Sequence, residues 1–384
     1  MAFTIGLCFL VALLEGLDLQ AAGIAAPGMA VAFGLDKMQM GWVFSAGILG
    51  LLPGALVGGW LADRFGRKRI LIGSVALFGL FSLATAHAWS LPSLLLARLL
   101  TGVGLGAALP NLIALSSEAA GQRLRGSAVS LMYCGVPLGA AIAAGIGIAG
   151  YSGEWQTVFH VGGAGPLLIL PLLALYLPES GQFRATTQNE DAPSLRHELF
   201  GQRATWLLWL SYFFTLMVVY ILINWLPSLL VGQGYSSHAA SWVMFALQIG
   251  AAIGTLMLGQ VLERLPAAVT ATVVYVGLLA ALAGLGLASA LPAMLVAGFF
   301  AGFFATGGQG VLYALAPLFY PVRVRATGVG AAVAVGRLGA MSGPLVAGQM
   351  LALGAGSAGV LMASAPGVVI AALALFRLIG RRPA

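Results

Sequence analysis

The sequence predicts an all-α membrane protein, with twelve transmembrane helices in two pseudo-symmetric six-helix bundles. Three observations lead there. Hydrophobic residues fill 60% of the 384 positions and charged residues only 8%, against roughly 25% charged in an ordinary globular chain. The apolar positions gather into twelve runs, each near the ~20 residues that a spanning helix needs. The second half of the chain also repeats the first at an offset of 200 residues. With 18 basic and 11 acidic side chains the protein cannot coat a water-facing surface of this size, and its 54 glycines match the glycine enrichment of packed membrane helices. A soluble enzyme, a nucleic-acid binder and a disordered chain are thereby excluded. The net charge of +7 reads as basic residues held at one membrane face, not as an RNA or DNA partner.

In order, the runs cover 4–31, 39–61, 70–88, 91–115, 127–150 and 155–177, then 204–231, 238–261, 268–289, 291–317, 327–351 and 357–378. Only Met1 to Phe3 precede the first run, so no cleavable signal with a basic flank is expected. Cys8 and Cys134 both lie inside apolar runs, which makes a disulfide framework an unfavoured reading. The stretch from Pro178 to Arg203 alone has the composition of a soluble linker. It divides the chain into 1–177, a six-helix bundle, 178–203, a cytoplasmic linker, and 204–384, a second six-helix bundle.

Of the 18 Lys and Arg residues, fifteen fall on one side of the membrane, in connections, tails or, for Arg377, at the very end of a run; Lys37 falls on the other, and Arg98 and Arg337 lie well inside runs. The positive-inside rule then places both termini and the linker in the cytoplasm. The ungapped offset aligns Pro27 with Pro227, Gly59 with Gly259, Arg64 with Arg264, Pro92 with Pro292, Gly102 with Gly302, Arg125 with Arg325, Gly139 with Gly339 and Pro166 with Pro366. Prolines and glycines have backbone consequences that other residues cannot replace, so their register argues for two equivalent units better than matching leucines would. Parallel repeats with a site where the repeats meet are the arrangement of a rocking transporter.

Charge inside the runs carries the chemistry. Glu15 and Asp18 are three apart on the first helix and so share a face. Each ionised carboxylate in hydrocarbon costs ~2.5–3.5 kcal/mol on the insertion scale, so the pair must face a cavity or a partner. Desolvation and like charge make one of them a candidate proton carrier, unless it is locked in a fixed ion pair. Arg98 opens RLLTGVGLGAALPN and cannot usefully deprotonate. Its anion is Asp18, a substrate carboxylate, or each in turn. Arg337, in AVGRLGAMSGP, is the second cation within a run, placed either against substrate or against a neighbouring helix. Tyr220 and Asn224 on the seventh helix, and Thr306, Gln309 and Tyr313 on the tenth, recur at helical spacing and are candidates for lining a binding cavity.

The connection GGWLADRFGRKR holds Gly59, Asp63, Arg64, Gly66 and Arg67, and GQVLER (Gly259, Glu263, Arg264) is its reduced copy. Gly59 is expected to let two helices approach, Gly66 to permit a tight turn, and Asp63 to meet a helix N-terminus or an arginine in one conformation only. The basic cluster can also anchor the loop to anionic lipid. No catalytic motif appears, and His87, His160, His197 and His238 are scattered over different segments, so neither an enzyme nor a metal or cofactor site is expected.

The GGWLADRFGRKR spacing resembles the cytoplasmic loop signature of the major facilitator superfamily. EGLD at 15–18, the Arg98 signature, SSEAAGQRLRG at 116–126, NWLP at 224–227 and the run from FFATGGQG to GRLGAMSGP resemble, over the whole chain, its aromatic acid/proton symporter family. The resemblance implies a gating latch formed by Gly59, Asp63, Arg64, Gly66 and Arg67 with Glu118 and Arg125. It implies functional roles for Glu15, Asp18 and Arg98, while Arg337 also falls in a matching motif. Glu15 stands where many relatives have Asp. The implied activity is import of an aromatic monocarboxylate, such as a hydroxyphenylpropionate, together with protons. The implied setting is a bacterial inner membrane, with a monomer as the working form and the proton gradient in place of a cofactor. An exporter remains an alternative, although Gly126, Gly135 and Gly139 begin an exporter-type signature on helix five that Ala140, Ala143 and Ala144 do not complete. A transporter-like sensor of aromatic acids is another.

Overall fold

The computed structural model describes residues 2–149, 154–179, 203–319 and 325–380; within them, the side chains at 63, 121–127, 259, 263, 317 and 325–327 are not described. The expected linker lies almost wholly outside the described residues. The described elements are α1 (Ala2–Phe33), α2 (Lys37–Phe65), α3 (Arg67–Ala86), α4 (Leu91–Tyr133), α5 (Gly135–Ile148), α6 (Gln156–Tyr176), α7 (Arg203–Gly232), α8 (Ser237–Arg264), α9 (Ala267–Leu287) and α10 (Leu291–Leu315). A short 3-10 turn (Ala316–Phe319) leads to α11 (Arg325–Ala352), α12 (Ser357–Ala363) and α13 (Ala365–Ile379). By length and composition they supply 12 candidate membrane spans.

Two breaks differ from the expected runs, and each has a proline behind it. The fourth helix continues through the expected connection, where the backbone of 121–127 is helical, and stops at Tyr133 inside the fifth span. Pro137 follows three residues after Cys134, and its missing N–H deprives the Tyr133 carbonyl of an i+4 donor. The last span divides at Ser364, with Pro366 in the first turn of α13.

Close contacts split the chain into one unit of Met1–Gln188 with Ser236–Phe245 and a second of Asn189–Tyr235 with Ala246–Ala384. Within the first, α1 packs on α4, α5 and α6, and α3 on α4 and α6. Within the second, α7 packs on α10, α11 and α13, and α9 on α10 and α13. These are the same pairings displaced by the repeat.

Glycine contacts carry the repeat down to atoms. A Cβ at Gly50 would strike Leu99 O, and one at Gly250 would strike Phe299 O; Gly54 meets Val103 where Gly254 meets Phe303. Gly102 lies against Gly47 and Gly302 against Leu247, while Gly139 lies against Leu13 and Gly339 against Phe213. At every one of these positions a methyl group would overlap the backbone of the partner helix, so both repeats retain the same bare spots. The entry to the second helix also repeats: Gly34 and Gly234 take φ of 62° and 97°. Asp36 Oδ1 then accepts from Gln39 N at 2.7 Å, as Ser236 Oγ accepts from Ala239 N at 3.1 Å, capping α2 and α8.

Candidate functional site

Asp18 sits in the middle of α1 and is wholly buried. Arg98 Nη1 of α4 donates to Asp18 Oδ2 at 3.0 Å, so of the anions open to Arg98 the structure shows Asp18 in place. Oδ1 accepts from Ser82 Oγ of α3 at 2.6 Å, and the same Oγ lies 3.4 Å from Phe159 O of α6. The Arg98 guanidinium stands 5.4 Å from the Phe159 ring centroid, within cation–π range. Two glycines make room: a Cβ at Gly47 would sit 3.2 Å from Arg98 Nη2, and one at Gly162 would sit 3.7 Å from Asp18 Oδ1. Arg98 Nε is buried with no hydrogen-bond partner among the described residues. A buried N–H on a cation ordinarily has an acceptor, which makes this one a candidate contact for an anion. Glu15, one turn back on α1, is also buried.

The second unit carries a different set. Arg337 of α11 donates from Nη1 to Tyr220 Oη of α7 at 2.7 Å and stays half-buried. Asn224 is buried and spends Nδ2 on Tyr220 O at 2.9 Å, one turn back on its own helix. On α10, Gln309 Nε2 donates to Tyr313 Oη at 2.8 Å, and the Tyr313 ring packs 5.6 Å from that of Tyr212. Thr306 is half-buried one turn before Gln309. Arg337 with Tyr220 and Gln309 with Tyr313 are thus two separate contacts of this unit.

The loop signature resolves into parts. Arg67 of α3 and Glu118 of α4 form an ion pair. Glu179 Oε1 accepts from Lys68 N at 3.0 Å, and Lys68 Nζ donates to Ala174 O at 2.7 Å, which ties the start of α3 to the end of α6. Gly66 makes the turn with φ of 101°, as expected. Gly59 does not hold two helices together, because a Cβ there would meet nothing within 4 Å; its neighbour Gly58 makes the approach, against Ala107. The cause is one residue of helical phase, about 100° of rotation. Arg64 is exposed and lies 5.7 Å from the ring centroids of Trp60 and Phe65 on its own helix. The Asp63 and Arg125 side chains lie outside the described residues.

Sequence reasoning missed Ser82, Phe159 and the histidines. A lone serine in an apolar helix usually bonds back to its own i−4 carbonyl, as Ser74 does to Ile70 O, and nothing local marks Ser82 as different. His87 and His160, read as scattered, bring their ring centroids to 5.1 Å. Two imidazoles remain short of a metal centre: no group of three or more metal-binding side chains exists among the described residues.

Twelve candidate spans in two repeated units, with buried charge inside them, define a membrane transporter. The chain belongs to the Major Facilitator Superfamily, whose family model matches residues 8–292 and 208–384. It is 69% identical to the 3-(3-hydroxy-phenyl)propionate transporter of Escherichia coli (strain K12), over 99% of this chain and 94% of that one. It is 37% identical to a gallate transporter of Pseudomonas putida, over 91% and 85% of the two chains. To the 4-hydroxybenzoate transporter PcaK of Pseudomonas putida it is 36% identical, over 91% and 86%. Among solved structures, a D-xylose-proton symporter superposes with a TM-score of 0.80 at 18% identity, covering 97% of this chain and 96% of that one. A bacterial homolog to the human lysosomal transporter Spinster, inward-facing and unoccupied, gives 0.80 at 20% identity, over 99% and 97%. These likenesses establish the fold.

Proposed function

We propose that this multi-pass membrane protein imports an aromatic monocarboxylate together with protons, and that its substrate is 3-(3-hydroxyphenyl)propionate or a related phenylpropanoid acid. The observation that carries the reading is the buried Asp18–Arg98 pair with an unused Arg98 N–H beside it. The name of the 69% identical relative supports the substrate, and the gallate and 4-hydroxybenzoate transporters support the wider class.

The mechanism follows from charge. While Asp18 is ionised, Arg98 has its counter-ion. A proton on Asp18 cancels that charge and leaves a buried guanidinium without an anion, a state costing several kcal/mol. A substrate carboxylate at Arg98 restores the balance, so proton and anion load together. Loss of the proton from Asp18 returns Arg98 to it and expels the carboxylate. Counted together, Glu15 and Asp18 match Arg98 and Arg337 in charge, so an anion entering either unit is neutralised only when a proton comes with it. Arg337 and Tyr220 offer a cation and a phenol to a carboxylate or a ring hydroxyl, with Asn224, Thr306, Gln309 and Tyr313 as further polar contacts. The Arg67–Glu118 pair, with Gly66 as its turn and Gly59, Asp63, Arg64 and Arg125 nearby in sequence, serves as the cytoplasmic latch. The lopsided Lys and Arg count supports an inner-membrane setting with both termini in the cytoplasm, and two repeats in a single chain support a monomer as the working unit.

The test is uptake of labelled 3-(3-hydroxyphenyl)propionate by cells expressing wild type or Asp18→Asn. Wild type should accumulate substrate, a protonophore should abolish the accumulation, and Asp18→Asn should not concentrate it at all. Accumulation indifferent to the protonophore would refute proton coupling, and expulsion from preloaded vesicles under an inward proton gradient would reverse the direction.

A further inference from the structure

We propose that Ser82 is a proton-dependent switch that holds Asp18 in either of its two charge states, a positioning role that rests on the proton-carrier reading of Asp18. The evidence is one hydroxyl with two acceptors. Ser82 Oγ lies 2.6 Å from Asp18 Oδ1 and 3.4 Å from Phe159 O. Ser82 and Asp18 are both wholly buried in this conformation, so each finds its hydrogen-bond partners within the protein. A hydroxyl has a single hydrogen to give but can also accept. With Asp18 ionised, that hydrogen belongs on Oδ1, in the short charge-assisted bond observed. When a proton from water reaches Asp18 and an O–H bond forms there, the new carboxylic acid can donate to Ser82 Oγ, whose own hydrogen turns to the Phe159 carbonyl. The chain Asp18 to Ser82 to Phe159 O reverses polarity without moving a heavy atom far. In both states each hydrogen has an acceptor, which a buried site requires.

The surroundings leave Ser82 as the adjustable partner. From α4 Asp18 meets Arg98, which keeps its charge. From α6 it meets Gly162 and, through Ser82, the Phe159 carbonyl. The packed helix α5 carries no Asp, Glu, His, Lys or Arg, and on α1 itself Glu15 lies one turn away. Near Arg98, α2 presents the bare Gly47. His160, next to Phe159, is exposed and packs on His87.

A merely structural serine would affect folding; a switch affects the pH at which Asp18 holds its proton. Ser82 donates most strongly to the ionised form, so removing the hydroxyl destabilises the anion and raises that pH. The experiment follows the infrared carbonyl band of protonated Asp18, assigned by its loss in Asp18→Asn, across pH in purified full-length protein, alongside the pH profile of uptake. Ser82→Ala should move the midpoint of the band and the alkaline limb of uptake upward by about one pH unit. Ser82→Thr should restore the wild-type midpoint. If Ser82→Ala does not fold, Ser82→Cys, a weaker donor of similar size, should show a smaller upward shift. A wild type that titrates and a Ser82→Ala that titrates with the same midpoint would overturn the switch alone. A wild type with no Asp18-dependent band at any pH would remove the proton-carrier reading and the switch with it.

Discussion

The two units share a backbone plan but not a chemistry. Gly50, Gly54, Gly102 and Gly139 make the same helix contacts as Gly250, Gly254, Gly302 and Gly339. The polar residues of the candidate site have no such counterparts: at the offset of 200, Glu15 aligns with Thr215, Asp18 with Val218, Ser82 with Leu282 and Arg98 with Gly298, while Arg337 aligns with Pro137. Thr215 Oγ1 and Ser211 Oγ instead share Tyr275 Oη, each at 3.1 Å, a neutral buried network in place of an ionic one. Packing is thus duplicated and function divided. One unit holds a buried carboxylate paired with an arginine, and the other holds an arginine bonded to a phenol.

Arg98→Ala should break this comparison hardest. It strands Asp18 in a buried site, at a cost of about 3–5 kcal/mol, and uptake should fall at least ~100-fold, about 2.7 kcal/mol in transport terms. A thermal scan in detergent together with an uptake assay checks both; a variant as stable and active as wild type would show the pair to be incidental. Arg337→Gln should act on affinity instead. The half-saturating concentration for counterflow should rise ~10–100-fold with a nearly unchanged melting temperature, because Tyr220 keeps a polar partner. Equal loss of stability in Arg337→Gln and Arg98→Ala would erase the contrast between the units.

The glycines sharpen the other side of the comparison. Gly139→Ala and Gly339→Ala should each destabilise by roughly 1–3 kcal/mol, since both place a methyl group against backbone. Matching drops in melting temperature are expected, and a large asymmetry would count against equivalent packing. Smallest of all, Gly59→Ala should fall within ~0.5 kcal/mol of wild type, whereas Gly58→Ala, pressed on Ala107, should not.

What the sequence made legible follows the same division. The runs and the offset are properties of many residues at once, and small local errors cannot hide them. Asp18 and Arg98 stood out because ionisable residues are expensive in apolar helices. Ser82 did not, because its partners lie 64 and 77 positions away and a membrane serine is usually content with its own helix. Gly58 and Gly59 look alike in the sequence until helical phase assigns Gly58 to the neighbouring helix. The break at Cys134 is hidden for a related reason: apolar composition continues smoothly through Pro137.

The most direct test of the account is substrate-driven proton movement in weakly buffered proteoliposomes, with external pH recorded after addition of 3-(3-hydroxyphenyl)propionate. Wild type should alkalinise the medium as each anion carries protons inward, and Asp18→Asn should give no pH change while still exchanging labelled for unlabelled substrate. An equal pH change in both proteins would contradict the assignment of the coupled proton to Asp18.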